Sequence, residues 1–243
     1  VARIGQMGFR DVEISIPGLG GSRAWAQELN RLAAQWGLTY VVHAPNEGKP
    51  TELERLRGPF FEEILALMEA CGQIGAPILT VHFWLDGRFI PAPVAKEKRR
   101  ILWAMAREGA RRGVRVCLEN LSERPEDLAP ALEGCAELGL TLDMGHAELL
   151  SPVNRSLEFI RRWPERICHV HAHDNRGGQS VRDDLHLPVG QGKVDFQVIL
   201  RALAGARYRR IVTLEVPLDR LEASAKRLRR ILQEARAGTG EER

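Results

Sequence analysis

Histidine, aspartate and glutamate recur in this chain at one kind of place, the ends of short apolar runs. Tyr40–Ala44 carries His43, and Thr80–Phe83 carries His82. Val116–Asn120 carries Glu119, and Thr141–Gly145 carries Asp143, with His146 just beyond. His169, His171 and His173 alternate along a single run, Asp184 and His186 follow it, and Thr213–Val216 carries Glu215. Taken singly, each reads as a hydrogen-bonded or paired core residue. Together they read as metal ligands. Burying this many ionisable groups without a cation is costly, and clustered carboxylates repel one another until a divalent ion offsets their charge. Mixed nitrogen and oxygen donors suit zinc, manganese, cobalt or iron better than calcium, and the lack of cysteine ligands argues against a purely structural zinc site.

The elements that must hold these residues alternate. Strands are expected at Asp11–Ser15, Leu38–Ala44, Ile78–Phe83, Val114–Glu119, Leu140–Asp143, Ile167–His173 and Arg210–Val216. Helices are expected at Ser22–Trp36, Pro59–Ile74, Ala95–Arg112, Pro125–Leu138, Leu157–Trp163, Phe196–Ala206 and Leu221–Ala237, with glycine stops at Gly37, Gly75, Gly113 and Gly139. Such alternation predicts parallel βαβ units. Residues two apart on a strand point the same way, so Thr80 shares a face with His82, Thr141 with Asp143 and Thr213 with Glu215. The polar face then looks into a barrel near the C-terminal strand ends, where barrel enzymes place their chemistry.

The chain has 243 residues, the size of one (β/α)₈ barrel, and no linker or composition break divides it, so residues 1–243 read as a single domain. Seven strands are legible where such a barrel has eight. Val1–Gly8 reads as the tail of a helix, which implies that the first strand and part of the first helix, about 20–30 residues, precede Val1. Net charge is +3 with arginines spread along most helices, and no basic segment is interleaved with aromatics as a nucleic-acid groove would be. The four cysteines, Cys71, Cys117, Cys135 and Cys168, form no C-x-x-C pair and read as buried thiols in a reducing cytoplasm. No apolar run is long enough to span a membrane, and no signal-peptide pattern is present.

The segments VVHAP, TVHF, VCLEN, LTLDMGH, HVHAHDN, DLHLPVGQG and VTLEV, from residue 38 to 216, resemble the xylose isomerase-like barrel superfamily, which holds sugar isomerases, epimerases and endonuclease IV. GFRDVEIS resembles its second strand. The resemblance implies a TIM barrel and a divalent metal (zinc, manganese, cobalt or magnesium), with one to three ions. On the epimerase pattern one ion is held by Glu119, Asp143, His171 and Glu215, and the two glutamates also move protons beside a substrate carbonyl. On the endonuclease IV pattern three zinc ions are held by His43, His82, Glu119, Asp143, His146, His171, Asp184, His186 and Glu215. All nine residue types match. The stretch NLSERPEDL after Glu119 departs from endonuclease IV, which has a small, glycine-containing stretch there, and the loops are short for gripping DNA. The expected substrate is therefore a sugar-like small molecule, with abasic DNA as the alternative. Arg176 is the candidate for holding a distal hydroxyl or phosphate, and Trp84 for covering a sugar face. His169 reads as a core histidine, His173 as a rim residue, Lys193 as solvated, and Gly190-Gln191-Gly192 as too weak a motif for a phosphate loop.

Overall fold

The structure, a computed structural model, describes residues 1–15 and 23–237. They fall into two compact units, Val1–Glu119 with Glu126–Leu140, and Asn120–Pro125 with Thr141–Arg243.

In the first unit α1 (Ala2–Gln6) leads into β1 (Asp11–Ile14), followed by α2 (Arg23–Trp36), β2 (Thr39–His43), α3 (Leu53–Arg57), α4 (Pro59–Ile74), β3 (Ile78–Val81), α5 (Ala92–Arg111), β4 (Arg115–Glu119) and α6 (Pro125–Glu133). β1 to β4 pair in parallel, each with the next. Their residues are mostly buried on both faces, as the continuous apolar runs of a parallel sheet require. α4 shows why a segment becomes a covering helix. Pro59 opens it, and Phe60, Ile64, Leu67, Met68, Cys71 and Ile74 form its buried stripe. Gly75 closes it at φ +67, where its N–H donates to the Cys71 carbonyl.

The second unit holds Thr141–Asp143 of β5 (Gly139–Asp143), then α7 (Ser156–Arg162), β6 (Ile167–Ala172), α8 (Phe196–Gly205), β7 (Val212–Leu214) and α9 (Leu221–Ala237). β6 and β7 are parallel. Asp195 caps α8 by accepting from the Val198 N–H at 3.0 Å.

Strand register delivers the expected ligands. Val81 pairs with Leu118, so His82 and Glu119 come level one step further on. Ala172 pairs with Leu214, which brings His173 and Glu215 level in the same way. His82, His173 and Glu215 thus stand one residue past their strands rather than within them. Gly37, Gly75 and Gly113 are left-handed helix stops, but Gly139 is not: it opens β5. The helix before it ends at Glu133, because the Trp103 indole N–H takes the Ala131 carbonyl at 2.9 Å and packs where a side chain on Gly134 would lie. The helix expected from Ser22 runs from Arg23, and Ser22 itself lies outside the described residues. The short helix α3 had no counterpart in the sequence reading.

A buried ion pair fixes the loops after β2 and β3. Lys98 on α5 is fully buried and donates to Glu47 Oε1 at 2.8 Å and to the Trp84 carbonyl at 2.6 Å. Its ammonium also lies 4.8 Å from the Phe83 ring centroid. Glu47 in turn accepts the Trp84 N–H at 2.7 Å. Burial pushes the Glu47 carboxyl up, and Lys98 opposes that shift. Removing one partner strands the other's charge, so Lys98→Met should cost about 3–5 kcal/mol in urea unfolding, and adding Glu47→Gln to it should recover part of the loss.

Candidate metal centre

Each unit brings several of the expected ligands together. In the first, the ring Nε2 atoms of His43 and His82 lie 3.0 and 3.1 Å from the same oxygen, Glu119 Oε2. Glu119 is buried at the end of β4. Both rings have their other nitrogen committed. His43 Nδ1 meets the Ala44 carbonyl at 2.7 Å, and His82 Nδ1 meets Asn46 Oδ1 at 2.7 Å. A carbonyl oxygen can only accept, so each Nδ1 carries the proton, and in the neutral ring Nε2 presents a lone pair. Two lone pairs and a carboxylate oxygen cannot share one point without a proton or a cation between them.

The second unit repeats the pattern. His146 Nδ1 faces the Asn120 carbonyl at 3.3 Å and His186 Nδ1 faces the Glu215 carbonyl at 3.0 Å. Their Nε2 atoms converge on Asp184 Oδ2 at 3.1 and 3.2 Å. Deeper in the same unit, His171 Nδ1 lies 3.3 Å from Glu215 Oε1 and 3.6 Å from Asp143 Oδ2. Asp143 is fully buried, its Oδ2 makes no hydrogen bond, and Oδ1 accepts the His146 N–H at 2.6 Å. Asn120 clamps the Asp143 backbone at both its N–H and its carbonyl, each at 2.9 Å. This donor set, imidazole nitrogens with their far nitrogens anchored and buried carboxylate oxygens, fits a divalent cation.

The charges show the same demand. Burial disfavours the Asp143 carboxylate, and His146 and His173 beside it outweigh burial, so its carboxyl is held well below the usual range. Burial likewise works against Asp184, and hydrogen bonds from His146 and His186 overcome it, again lowering its carboxyl. His186 is pulled down by burial but raised further by Asp184, to about 9. A proton thus occupies the place a cation would take. His186 also has φ +45, the left-handed region in which few residues other than glycine settle, and such strain gathers at functional positions.

The loop carrying Asp184 and His186 hangs on a residue the sequence reading passed over. Asp174, fully buried, accepts the N–H groups of Asn175 at 2.8 Å, Gly190 at 2.7 Å and Val194 at 3.1 Å. Its backbone also exchanges both hydrogen bonds with Leu187. Gly190 takes φ +82, and a side chain on Gly192 would meet Asp174 Oδ1 and the Asn175 carbonyl at 2.3 Å. The Gly-Gln-Gly turn therefore cradles an anion of the chain itself, the Asp174 carboxylate. The signal was the aspartate directly after the histidine run, followed by two glycines with a single residue between them.

The remaining candidates sort as follows. His169 is a satisfied core histidine, with Nε2 2.8 Å from Thr213 Oγ1. His173 is fully buried among the ligands rather than at a rim. Arg176 is exposed on the loop after β6. Lys193, half exposed, pairs with the buried Glu148 at 3.3 Å. Trp84 stacks on Phe89 with centroids 5.1 Å apart. All four cysteines are buried and unbridged, and burial pushes the Cys71 thiol up to about 12. Among the described residues no helix is long and apolar enough to cross a membrane.

A family described as xylose isomerase-like TIM barrel matches residues 1–236. A D-tagatose 3-epimerase-like protein superposes with a TM-score of 0.83 at 24% identity, covering 98% of this chain and 93% of the other. The TTHB071 protein of Thermus thermophilus, solved after soaking with zinc chloride, superposes at 0.75 with 27% identity, covering 96% and 93%. The uncharacterized protein MJ1311 of Methanocaldococcus jannaschii is 26% identical over 205 residues, 77% of this chain and 67% of its own. These likenesses show the fold, a TIM barrel of alternating strands and helices.

The proton on His186 sets a pH dependence. In the metal-free protein it is held from the ordinary 6.5 up to about 9, so the stability its pairing with Asp184 contributes is fully present below 6.5 and is lost as pH rises through about 9. A metal must displace that proton. Apparent cobalt affinity should therefore climb with rising pH until about 9 and level off above it. Calorimetry at pH 7 in buffers of differing ionisation enthalpy should show proton release on loading.

Proposed function

This chain belongs to the xylose isomerase-like TIM barrel family, and from that membership we propose that it is a divalent-metal-dependent isomerase or epimerase of a sugar, sugar phosphate or related hydroxy-carbonyl compound. The observation that carries the reading is the meeting of His171 with the buried Asp143 carboxylate and with Glu215 in the second unit. The family pattern adds Glu119 as the fourth ligand of the same ion. When bound there, a divalent ion would polarise the carbonyl and neighbouring hydroxyl oxygens of the substrate.

The residues have separate tasks. Glu215 and Glu119 remove and return the proton on opposite sides of an enediolate, and a base used this way works best with a pKa near the operating pH. Asp143 binds in its charged form, clamped by Asn120, and His171 lies beside it. Arg176, exposed on the loop after β6, takes a distal hydroxyl or phosphate.

A specific observation favours a second reading. His43, His82 and Glu119 form one ligand group, and His146, Asp184 and His186 form another, as an endonuclease IV-like phosphodiester hydrolase of abasic DNA would need. The short loops and the spread of basic residues weigh against it.

Two assays separate the readings. Glu119→Gln and Glu215→Gln should each lower turnover of a ketose or ketose phosphate substrate about 100-fold or more, and full turnover by both would refute the proton-transfer roles. Arg176→Ala should raise KM with little change in kcat. Chelator-sensitive nicking of an abasic-site duplex by the zinc-loaded protein would establish the hydrolase instead.

A further inference from the structure

We propose that a groove between α7 and α8, at the end of the second unit away from the candidate metal ligands, binds a phosphate monoester, the chemistry of a sugar phosphate or a nucleoside monophosphate. The site goes beyond the isomerase reading, and no residue in it is a candidate ligand or base. α7 leads into β6 and α8 into β7, so the ends of both helices lie by the strand starts, whereas His171 and Glu215 stand at or just past the strand ends.

The groove has a volume of about 430 Å³, within the range of small-molecule sites. Ile160, Pro164, Ala202 and Ala206 give it apolar walls, and Arg161, Glu165 and Arg207 supply its charge. Arg161 and Arg207 are exposed, and among the described residues neither guanidinium makes an ion pair or a hydrogen bond. Glu165, four residues after Arg161, is unpaired as well. Two guanidinium groups lining one groove repel each other, and a phosphate dianion removes that conflict by accepting from both.

Arg207 holds its place at a cost. Its N–H donates to the Ala204 carbonyl at 2.8 Å, and the Tyr208 N–H donates to the Leu203 carbonyl at 2.9 Å, the paired bonds that close a helix. This ending sets residue 207 at φ +56, in the left-handed region. Gly37, Gly75 and Gly113 take the same conformation after α2, α4 and α5, where glycine bears it without a side-chain clash. An arginine there strains the backbone, and such strain persists where the side chain has a use. The dipole of α8 favours a cation near its end, but a basic residue in the last turn would serve it without strain, and the last turn has none.

The surroundings add to the pull on an anion. The Arg162 guanidinium lies over the Trp163 ring, 4.7 Å from its centroid. The pairing of Val170 with Val212, continued towards the strand starts, brings Arg209 and Arg210 level with Ile167 and Cys168, close to Arg166. Glu165 is the single acidic residue in 159–171 and 196–214. A field of one sign draws anions towards the groove. Glu165 can accept from a ligand hydroxyl, which suits a hydroxylated phosphate ester better than bare phosphate.

Titration of the full-length protein with AMP tests this, because AMP carries a phosphate monoester and ribose hydroxyls but no carbonyl on which an isomerase could act. Calorimetry should give a Kd below about 1 mM, with inorganic phosphate weaker and adenosine not bound. The affinity should be the same before and after metal removal, and the backbone amide signals of 160–166 and 202–207 should move. Arg207→Gly should weaken AMP binding about 10-fold or more while leaving Tm unchanged or raised, a split that a merely structural arginine would not give. Arg161→Gln should weaken it by a similar factor, about 10-fold. The inference is overturned if AMP fails to bind, if adenosine binds as well as AMP, if metal removal abolishes binding, if both variants bind AMP as the wild type does, or if a short DNA duplex moves those amide signals and AMP does not.

Discussion

Everything at these two groups of residues, one in each unit, follows from where four imidazoles have committed their Nδ1 protons. His43, His82, His146 and His186 each give that proton to an oxygen that can only accept, the carbonyl of Ala44, the amide oxygen of Asn46, and the carbonyls of Asn120 and Glu215. Whenever such a ring is neutral, its remaining lone pair is aimed at a carboxylate oxygen, of Glu119 in one unit and of Asp184 in the other. An apolar repacking could not satisfy this geometry, since Asp143, His171 and His173 are fully buried polar groups. The arrangement requires positive charge. Protons can supply it, as the raised His186 shows, and so can a metal ion.

Holding such a group together falls largely to the backbone. Asn120 grips both backbone polar groups of Asp143, and the Asp174 carboxylate collects three N–H groups from the chain that follows it. Neither Asn120 nor Asp174 is a ligand. Each is fully buried and fully used, and buried hydrogen bonds to charged acceptors are among the stronger ones a protein makes. In the other unit the Glu47–Lys98 pair does similar work, with Trp84 taken at both its N–H and its carbonyl two residues after His82.

The sequence disclosed the parts whose physics is local. Apolar runs of a few residues, glycine stops and amphipathic stripes gave the strand and helix order, with α4 correct to the residue. The candidate ligands stood out as a set because polar residues recur at the tips of buried strands. What escaped was set by contacts distant in the chain. Gly139 looked like a helix stop, but Trp103 had already taken the last turn of α6. His173 looked like a rim residue because strand alternation gives a side chain's direction and not its depth. Gly-Gln-Gly looked like a weak phosphate motif because the anion it embraces, Asp174, lies well before it in the chain.

The anchoring of the loop after β6 also makes it modular. Asp174 fastens its start to Gly190 and Val194, and Leu187 pairs with Asp174 just beyond His186. The feet of the loop are thus joined by the Asp174 carboxylate on one side and by main-chain pairing of Asp174 with Leu187 on the other, outside the arc between them. Between Asn175 and Asp184 the chain runs over the surface, with Arg176, Gln179 and Ser180 exposed. A descendant of this protein could rewrite that arc, in length or in chemistry, while its ligands stay at their posts. The chemistry of that surface could then drift through insertion and recombination in one short stretch, with the buried groups beneath it inherited intact.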